Sequence, residues 1–359
     1  MTFEEMKEQM HRESMRTTMV FLALSIVLST VFVISFSVSK YPISISESFE
    51  IIIDHLNGVT YDRNMDYDMW YKSYVVWEYN VPRTIAGVTI GAVLAMGGAI
   101  MQGVVRNPLA DPYIVGISSG ALFGVTLFIV YGMCIIPGLI GNTAMCTNAF
   151  LFSMIPVSVI IVVSFFRKNI TPTMMILIGI GVMYLFSSAA ALIRFNADHN
   201  AAAEVYEWSL GSIGRIGWDG IPLVLISLFV TIASLPFILG KLNAISLGDD
   251  ISRSVGVNTK MFRISSLMLV SLVTAIVVSL AGTIGFVGLV CPHIARMIFG
   301  SNNRILVPLS GLVGATMLIF SDCLARVIGP TGFPVGVITA MIGCPIFIYM
   351  LMKQKKESW

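Results

Sequence analysis

Charge is what this sequence has least of. Of 359 residues only 12% are Asp, Glu, Lys or Arg, while 56% are hydrophobic and the mean hydropathy is +0.85; soluble domains carry about a quarter charged residues. That scarcity excludes an ordinary water-soluble domain. The net charge of +2 is scattered over short loops, with no basic stripe on which a nucleic acid could lie. No GxxxxGK[ST] segment occurs, so the chain lacks the backbone cradle and lysine that grip nucleotide phosphates. Any ATP must be handled by another subunit. The four histidines, His11, His55, His199 and His293, show neither HExxH nor Cys/His ligand spacing, and no Ser/His/Asp set can be assembled. No catalytic residue, metal ligand or resident cofactor is therefore expected. Acids within the apolar runs are equally rare. Asp322 lies four residues before Arg326, on one helical face, where the two can pair as a structural ion pair.

Cysteines are few and offer little. Of five, Cys291, Cys323 and Cys344 fall in or beside apolar segments and read as small buried hydrophobes. Cys134 and Cys146 flank the loop after the third predicted helix and could form a disulfide if that loop is external; sequence alone leaves the pairing open.

What the chain has in abundance is apolar runs. They predict helices at 17–37, 81–105, 113–132, 147–166, 172–193, 218–239, 261–281, 286–298, 304–327 and 334–353, about the number of crossings that a chain of this length can hold at roughly 20 residues each. The expected architecture is an all-α integral membrane protein, a single transmembrane domain over 1–359. The eighth run is too short to cross alone; Gly282, Gly285 and Gly288 precede it and Pro292 lies inside it, which points to a partial or tilted crossing. Most lysines and arginines collect at Lys7, Arg12 and Arg16, Arg106, Arg167 and Lys168, Lys241 to Arg263, Arg296 and Arg304, and Lys353 to Lys356. Positively charged loops stay cytoplasmic, so both termini are predicted inside a cell membrane, inner or cytoplasmic, with an even number of crossings.

Four local features stand out. The external segment 38–80 is acidic and aromatic, with Tyr61, Tyr67, Trp70, Tyr71, Tyr74, Trp77 and Tyr79; anchoring at the membrane interface and docking of a partner both account for it. Small residues at four-residue spacing, Gly87, Gly91 and Ala95, then Gly116, Gly120 and Gly124, let helix backbones approach closely in lipid. In RNPLADP, residues 106–112, the Asn107-Pro108 and Asp111-Pro112 dipeptides disfavour helix before each proline and predict a tight ordered turn. Finally, KLNAISLGDDISRSVGVNTK, residues 241–260, is a long polar cytoplasmic stretch. Within it Asp249 to Val255 predicts a short amphipathic helix, with Asp249 and Asp250 in the first turn and Gly256 as its stop. From physics alone, a lever against a soluble partner and a plain solvated loop both fit.

Four stretches, RNPLADPYIVGISSGALFG (106–124), LNAISLGDDISRSVGVN (242–258), GTIGFVGLVCPHIARMIFG (282–300) and PVGVITAMIGCPIFIYMLMK (334–353), resemble the iron-chelate uptake permease family of ABC transporters, the FecCD type, which includes the vitamin B12 importer permease. The resemblance covers about 80–353. It implies a type II ABC importer permease fold of ten transmembrane helices that pairs with a second copy of itself, with two ATP-binding subunits, which hold the ATP and Mg, docked below and an extracytoplasmic substrate-binding protein above. By position, Leu247, Gly248, Asp249, Asp250, Ser252, Arg253, Val255 and Gly256 match the family's coupling element. Thr171, Pro172 and Thr173 resemble its cytoplasmic gate, and Arg83 and Arg326 its outer arginines that meet carboxylates of the binding protein. Asn80 stands where the vitamin B12 permease has a further arginine, so docking is expected to use fewer basic contacts. The implied cargo is an iron-siderophore or related chelate, with vitamin B12, haem or molybdate also carried in the family. A secondary transporter driven by an ion gradient is the rival reading; such proteins place acids at broken helices near the midplane, and here only Asp322 could serve.

Overall fold

In the computed structural model, residues 3–167, 171–329 and 332–353 are described; Lys168, Lys355 and Lys356 lie outside them. The described residues form helices joined by short loops, with no strand among them. In chain order these are α1 (Phe3–Ser35), α2 (Ile45–Leu56), α3 (Tyr67–Tyr74), α4 (Val81–Val105), α5 (Ile117–Tyr131), α6 (Gly141–Phe166), α7 (Pro172–Phe195), α8 (His199–Ser209), α9 (Ile221–Ser246), α10 (Asp249–Ser254), α11 (Thr259–Ala281), α12 (Val287–Phe299), α13 (Asn303–Val327) and α14 (Val335–Lys353). Eight helical segments are long and apolar enough to cross a bilayer, and two shorter apolar helices, α5 and α12, stand where the third and eighth crossings were expected. The all-α membrane architecture is as the sequence predicts.

The bundle is built around α4. The most apolar stretch of α4 is 83% buried inside the protein, whereas that of α1 has no buried residue and exposes Met19, Leu22 and Ile26. Small residues make the central position possible. A Cβ on Gly91 would lie 2.3 Å from the carbonyl oxygen of Gly314, so α4 and α13 touch backbone to backbone, and Gly120 and Gly124 meet the backbone of α6 in the same way. In lipid, where tails are as apolar as side chains, such close packing is the main source of helix association.

Three elements depart from the sequence expectation. The segment 38–80 is not a loop but carries α2 and α3, and α3 runs through a π-helical turn, Val75–Asn80, straight into α4. α2 begins with a complete capping box: Ser44 Oγ accepts from the Glu47 amide and the Glu47 carboxylate accepts from the Ser44 amide at 2.7 Å, which satisfies two end donors. The aromatic residues pack mostly on one another. Trp70 stacks on Tyr74, His55 on Trp77, and Trp77 meets Trp218, whose indole N–H donates to the Trp77 carbonyl at 3.0 Å. The third departure is α8, an amphipathic helix between α7 and α9 capped by Asp198. Cys134 and Cys146 are both free thiols, so the loop between α5 and α6 is not closed by a disulfide.

Candidate functional site

The two ends of α4 carry the same device, an arginine answered by an aspartate from elsewhere in the chain. Arg83 and Arg106 lie at opposite ends of this 25-residue helix, roughly 35 Å apart at 1.5 Å per residue.

At the Arg106 end, the turn predicted from RNPLADP is closed by its own side chains. Asn107 Oδ1 accepts from the Leu109 amide at 2.9 Å, and the Ala110 amide donates back to the Asn107 carbonyl; Pro108 lies between them. Asp111 Oδ1 accepts from the Tyr113 amide at 2.8 Å and caps a 3-10 turn that starts at Pro112. Asp111 is buried against Gly288 of α12, and burial pushes its carboxyl up to about 6.

The short helix expected near 249 is α10, and Gly256 follows it with φ +84°, in the left-handed region that ends helices. Asp249 anchors it. Arg263 of α11 donates to both carboxylate oxygens, at 2.9 and 2.7 Å, and Arg106 at the end of α4 donates to one of them. Hydrogen bonding from Arg263 holds the Asp249 carboxyl below the usual carboxylate range. Arg263 is itself buried and also reaches the Val104 carbonyl. Ser252, on the inner face of α10, is buried and donates to the Ala244 and Gly248 carbonyls. Gly248 takes φ +123° and lets the chain turn into α10, while Asp250 and Arg253 make no contact inward comparable to that of Asp249.

The outer face is the reverse. Leu247, Ile251 and Val255, spaced by four residues, are 67%, 50% and 63% exposed, an apolar ridge on a polar loop. Sequence reasoning named Leu247 and Val255 but missed Ile251, although the i, i+4, i+8 spacing was there to be read. It missed Arg106 and Arg263 as anchors because nothing local reveals them.

Contacts sort the other loops to one end or the other. Lys260 reaches the Arg167 carbonyl, and Asn243 meets Asn302 and Asn303, all at the α10 end. Thr171 caps α7 by accepting from the Met174 amide, Pro172 takes the first helical position and Thr173 is exposed; these roles suffice to explain the Thr-Pro-Thr run as a helix start.

At the opposite end Asp322 is fully buried. Arg326 pairs with it at 2.6 Å, as the four-residue spacing predicts, and Arg83 joins from α4 at 2.8 Å. Arg326 also donates to the Ser35 carbonyl and to Asn80 Oδ1, and Asn80 Nδ2 donates to the Phe36 carbonyl. The Arg326 side chain is only 5% exposed and donates to Asp322, Asn80 and the Ser35 carbonyl, so in this conformation it is a buried counter-ion at the edge of a cavity. Arg83 is more exposed and borders the same cavity.

These elements make up a multi-pass helical bundle with charged clusters at its two ends and a small apolar ridge projecting at one of them. Residues 26–353 match the FecCD transport family. The chain belongs to that family, whose members are permease subunits of ABC transporters that leave ATP hydrolysis to partner subunits. It is 35% identical over 286 residues to the iron(3+)-hydroxamate import system permease FhuB of Bacillus subtilis, covering 79% of this chain and 72% of the relative. It is 34% identical over 292 residues to the hemin transport system permease HmuU of Yersinia pestis, covering 80% and 85%. Among solved structures it resembles one assigned to the metal-chelate type of ABC transporter in an inward-facing conformation, with a TM-score of 0.80 and 28% identity over 94% of this chain and all of that one.

Proposed function

We propose that the chain is one half of a homodimeric importer permease that moves an iron chelate into the cell by alternating access, with α10 receiving the work of an ATP-binding subunit. The observation that carries this reading is α10 itself. Its apolar ridge of Leu247, Ile251 and Val255 is exposed to water, while Asp249 ties it to two membrane helices through Arg106 and Arg263. A push on the ridge is delivered to α4 and α11 and is not lost in a flexible loop. α5 and α12 complete ten crossings in this reading, and the chain is a single domain.

The α10 end, rich in Arg106, Arg167, Arg253 and Lys260, is the cytoplasmic one. α1 ends and α14 begins at the Asp322 end, so both termini lie on the cytoplasmic side. A binding protein delivers the cargo at the opposite end, where Arg83 is the arginine left to meet it. Thr171 to Thr173, at the start of α7, border the inner mouth of the path. An iron complex is favoured because the two named relatives above handle iron hydroxamate and hemin.

The rival reading, an ion-driven transporter, requires a titrating acid in the path. The buried acids among the described residues are Asp111 and Asp322; Asp322 is held by two arginines, and such an acid is a poor relay. The test is uptake of radioactive ferric chelates into proteoliposomes that hold the chain with its co-purifying ATP-binding subunit. ATP-dependent uptake that is uncoupled from hydrolysis by Ile251→Asp or Gly256→Val supports the proposal. Uptake driven by an ion gradient without ATP overturns it.

A further inference from the structure

At the Asp322 end the protein has an open-mouthed cavity of about 900 Å³, a volume in the range of small-molecule sites. Its wall is strongly cationic. Lys40, Arg83, Arg215 and Arg326 line it, against one carboxylate, Glu207. Asp322, behind the wall, is shared between Arg83 and Arg326 and cannot neutralise both. Positive charge in a low-dielectric wall is costly unless an anion arrives to compensate it.

Two arginines at this wall have an N–H group with no protein acceptor among the described residues. Arg83 spends Nε and Nη2 on Asp322, while its Nη1 lies against Gly214, so close that a Cβ on that glycine would come within 2.8 Å. The next residue is Arg215, whose own Nη1 is buried with no hydrogen-bond partner among the described residues. Burial disfavours the charged form of Arg215, while Glu207 and Glu204 favour it, and a guanidinium stays protonated at neutral pH. Arg83 from α4 and Arg215 from the 3-10 turn Ile213–Arg215 thus both line the wall of the same cavity. Planar forks of this kind match carboxylate, catecholate and oxyanion groups, which accept two parallel N–H bonds.

We infer that this cavity binds an anionic group of the transported solute through Arg83 and Arg215, so that the permease favours negatively charged chelates over neutral ones. The inference rests on the importer reading above but adds a charge preference that the reading does not require. Glu207 sets a limit on it, since its carboxylate repels an anion that approaches α8.

The test needs neither ATP nor a partner. The purified full-length chain in detergent is subjected to equilibrium dialysis against two radioactive iron complexes of similar size, a trianionic ferric tris-catecholate and a neutral ferric tris-hydroxamate. The expected result is at least about tenfold tighter binding of the catecholate, with the preference shrinking as salt is raised. Arg215→Gln should lose most of that preference while the fold survives, because Arg215 Nη1 donates to no partner among the described residues. Arg83→Gln, which leaves Asp322 paired with Arg326, should do the same. Equal binding of the two complexes, binding of neither, or a preference that persists in the double variant overturns the inference. Because no ATP is present, such a result is distinct from a failure of ATP-driven uptake.

Discussion

Asp249→Ala is the substitution that most directly probes how α10 is held. The carboxylate receives N–H groups from Arg263 at 2.7 and 2.9 Å and a further one from Arg106. Hydrogen bonds to charged groups contribute about 1.5–3 kcal/mol each when sheltered. Here the carboxylate is about one-third exposed, so solvent screening reduces the total to about 2 kcal/mol. That corresponds to about a thirtyfold change in the ratio of docked to undocked α10. Hydrogen exchange read by mass spectrometry should show amide protection across Asp249–Ser254 falling by up to that factor, with the middle of α11 unchanged. In vesicles with the ATP-binding subunit, hydrolysis should continue while uptake per ATP drops. The pH dependence has a definite sign. Arg263 keeps the folded-state pKa of Asp249 below its ordinary value, so the anchoring is fully present above about pH 4 and is lost only as pH falls below it toward the folded value. Wild-type α10 should therefore stay docked from pH 8 to pH 5. Unchanged protection in Asp249→Ala, or release of α10 in wild type near pH 6, would refute the reasoning.

Asp322→Ala leaves Arg83 and Arg326 side by side with no counter-ion in a buried site; about 3–5 kcal/mol of stability should be lost, read as a large drop in thermal midpoint, whereas Arg83→Gln should cost much less because the Asp322–Arg326 pair persists. Gly91→Ala drives a methyl to 2.3 Å from the Gly314 carbonyl oxygen, and since both sides are backbone the helices must part at about 1–3 kcal/mol; Gly181→Ala in α7, with nothing within 4 Å, should leave the midpoint unchanged or slightly raised. Asp111→Asn keeps an acceptor for the Tyr113 amide but removes a carboxyl that burial has pushed up to about 6. The wild type should lose about 3 kcal/mol as pH rises from about 4 through about 6, so the variant should be the more stable at pH 7 and equal at pH 4; a midpoint difference that does not change between those pH values would refute the assignment.

What could be read from the letters was what depends on neighbours in sequence. The two X-Pro dipeptides of RNPLADP forced a turn, Gly256 ended α10, and the spacing of Asp322 and Arg326 placed both on one face. The pairs that tie the molecule together were not legible. Asp249 finds Arg106 across 143 positions, and Arg326 finds the Ser35 carbonyl across 291; only the packing of α1, α4 and α13 decides these meetings. The same packing buried Arg326. α2 is a different kind of miss. Its Ser44-x-x-Glu47 capping signal is plainly written, but twelve residues are too few for a crossing, and a search tuned to apolar runs of membrane length passes over helices that lie outside the bilayer.

The backbone contact between Gly91 and Gly314 has a consequence for timing. Two helices that touch carbonyl to Cα, with no side chain between them to change rotamer, have no soft layer in which to absorb displacement. α4 and α13 therefore act as one strut, with α10 anchored at its lower end through Arg106 and the Arg83–Asp322–Arg326 cluster at its upper end. In the importer proposed above, a tilt imposed through α10 would be carried toward the Arg83–Asp322–Arg326 cluster by a helix pair that has, at Gly91 and Gly314, no side-chain layer to absorb it.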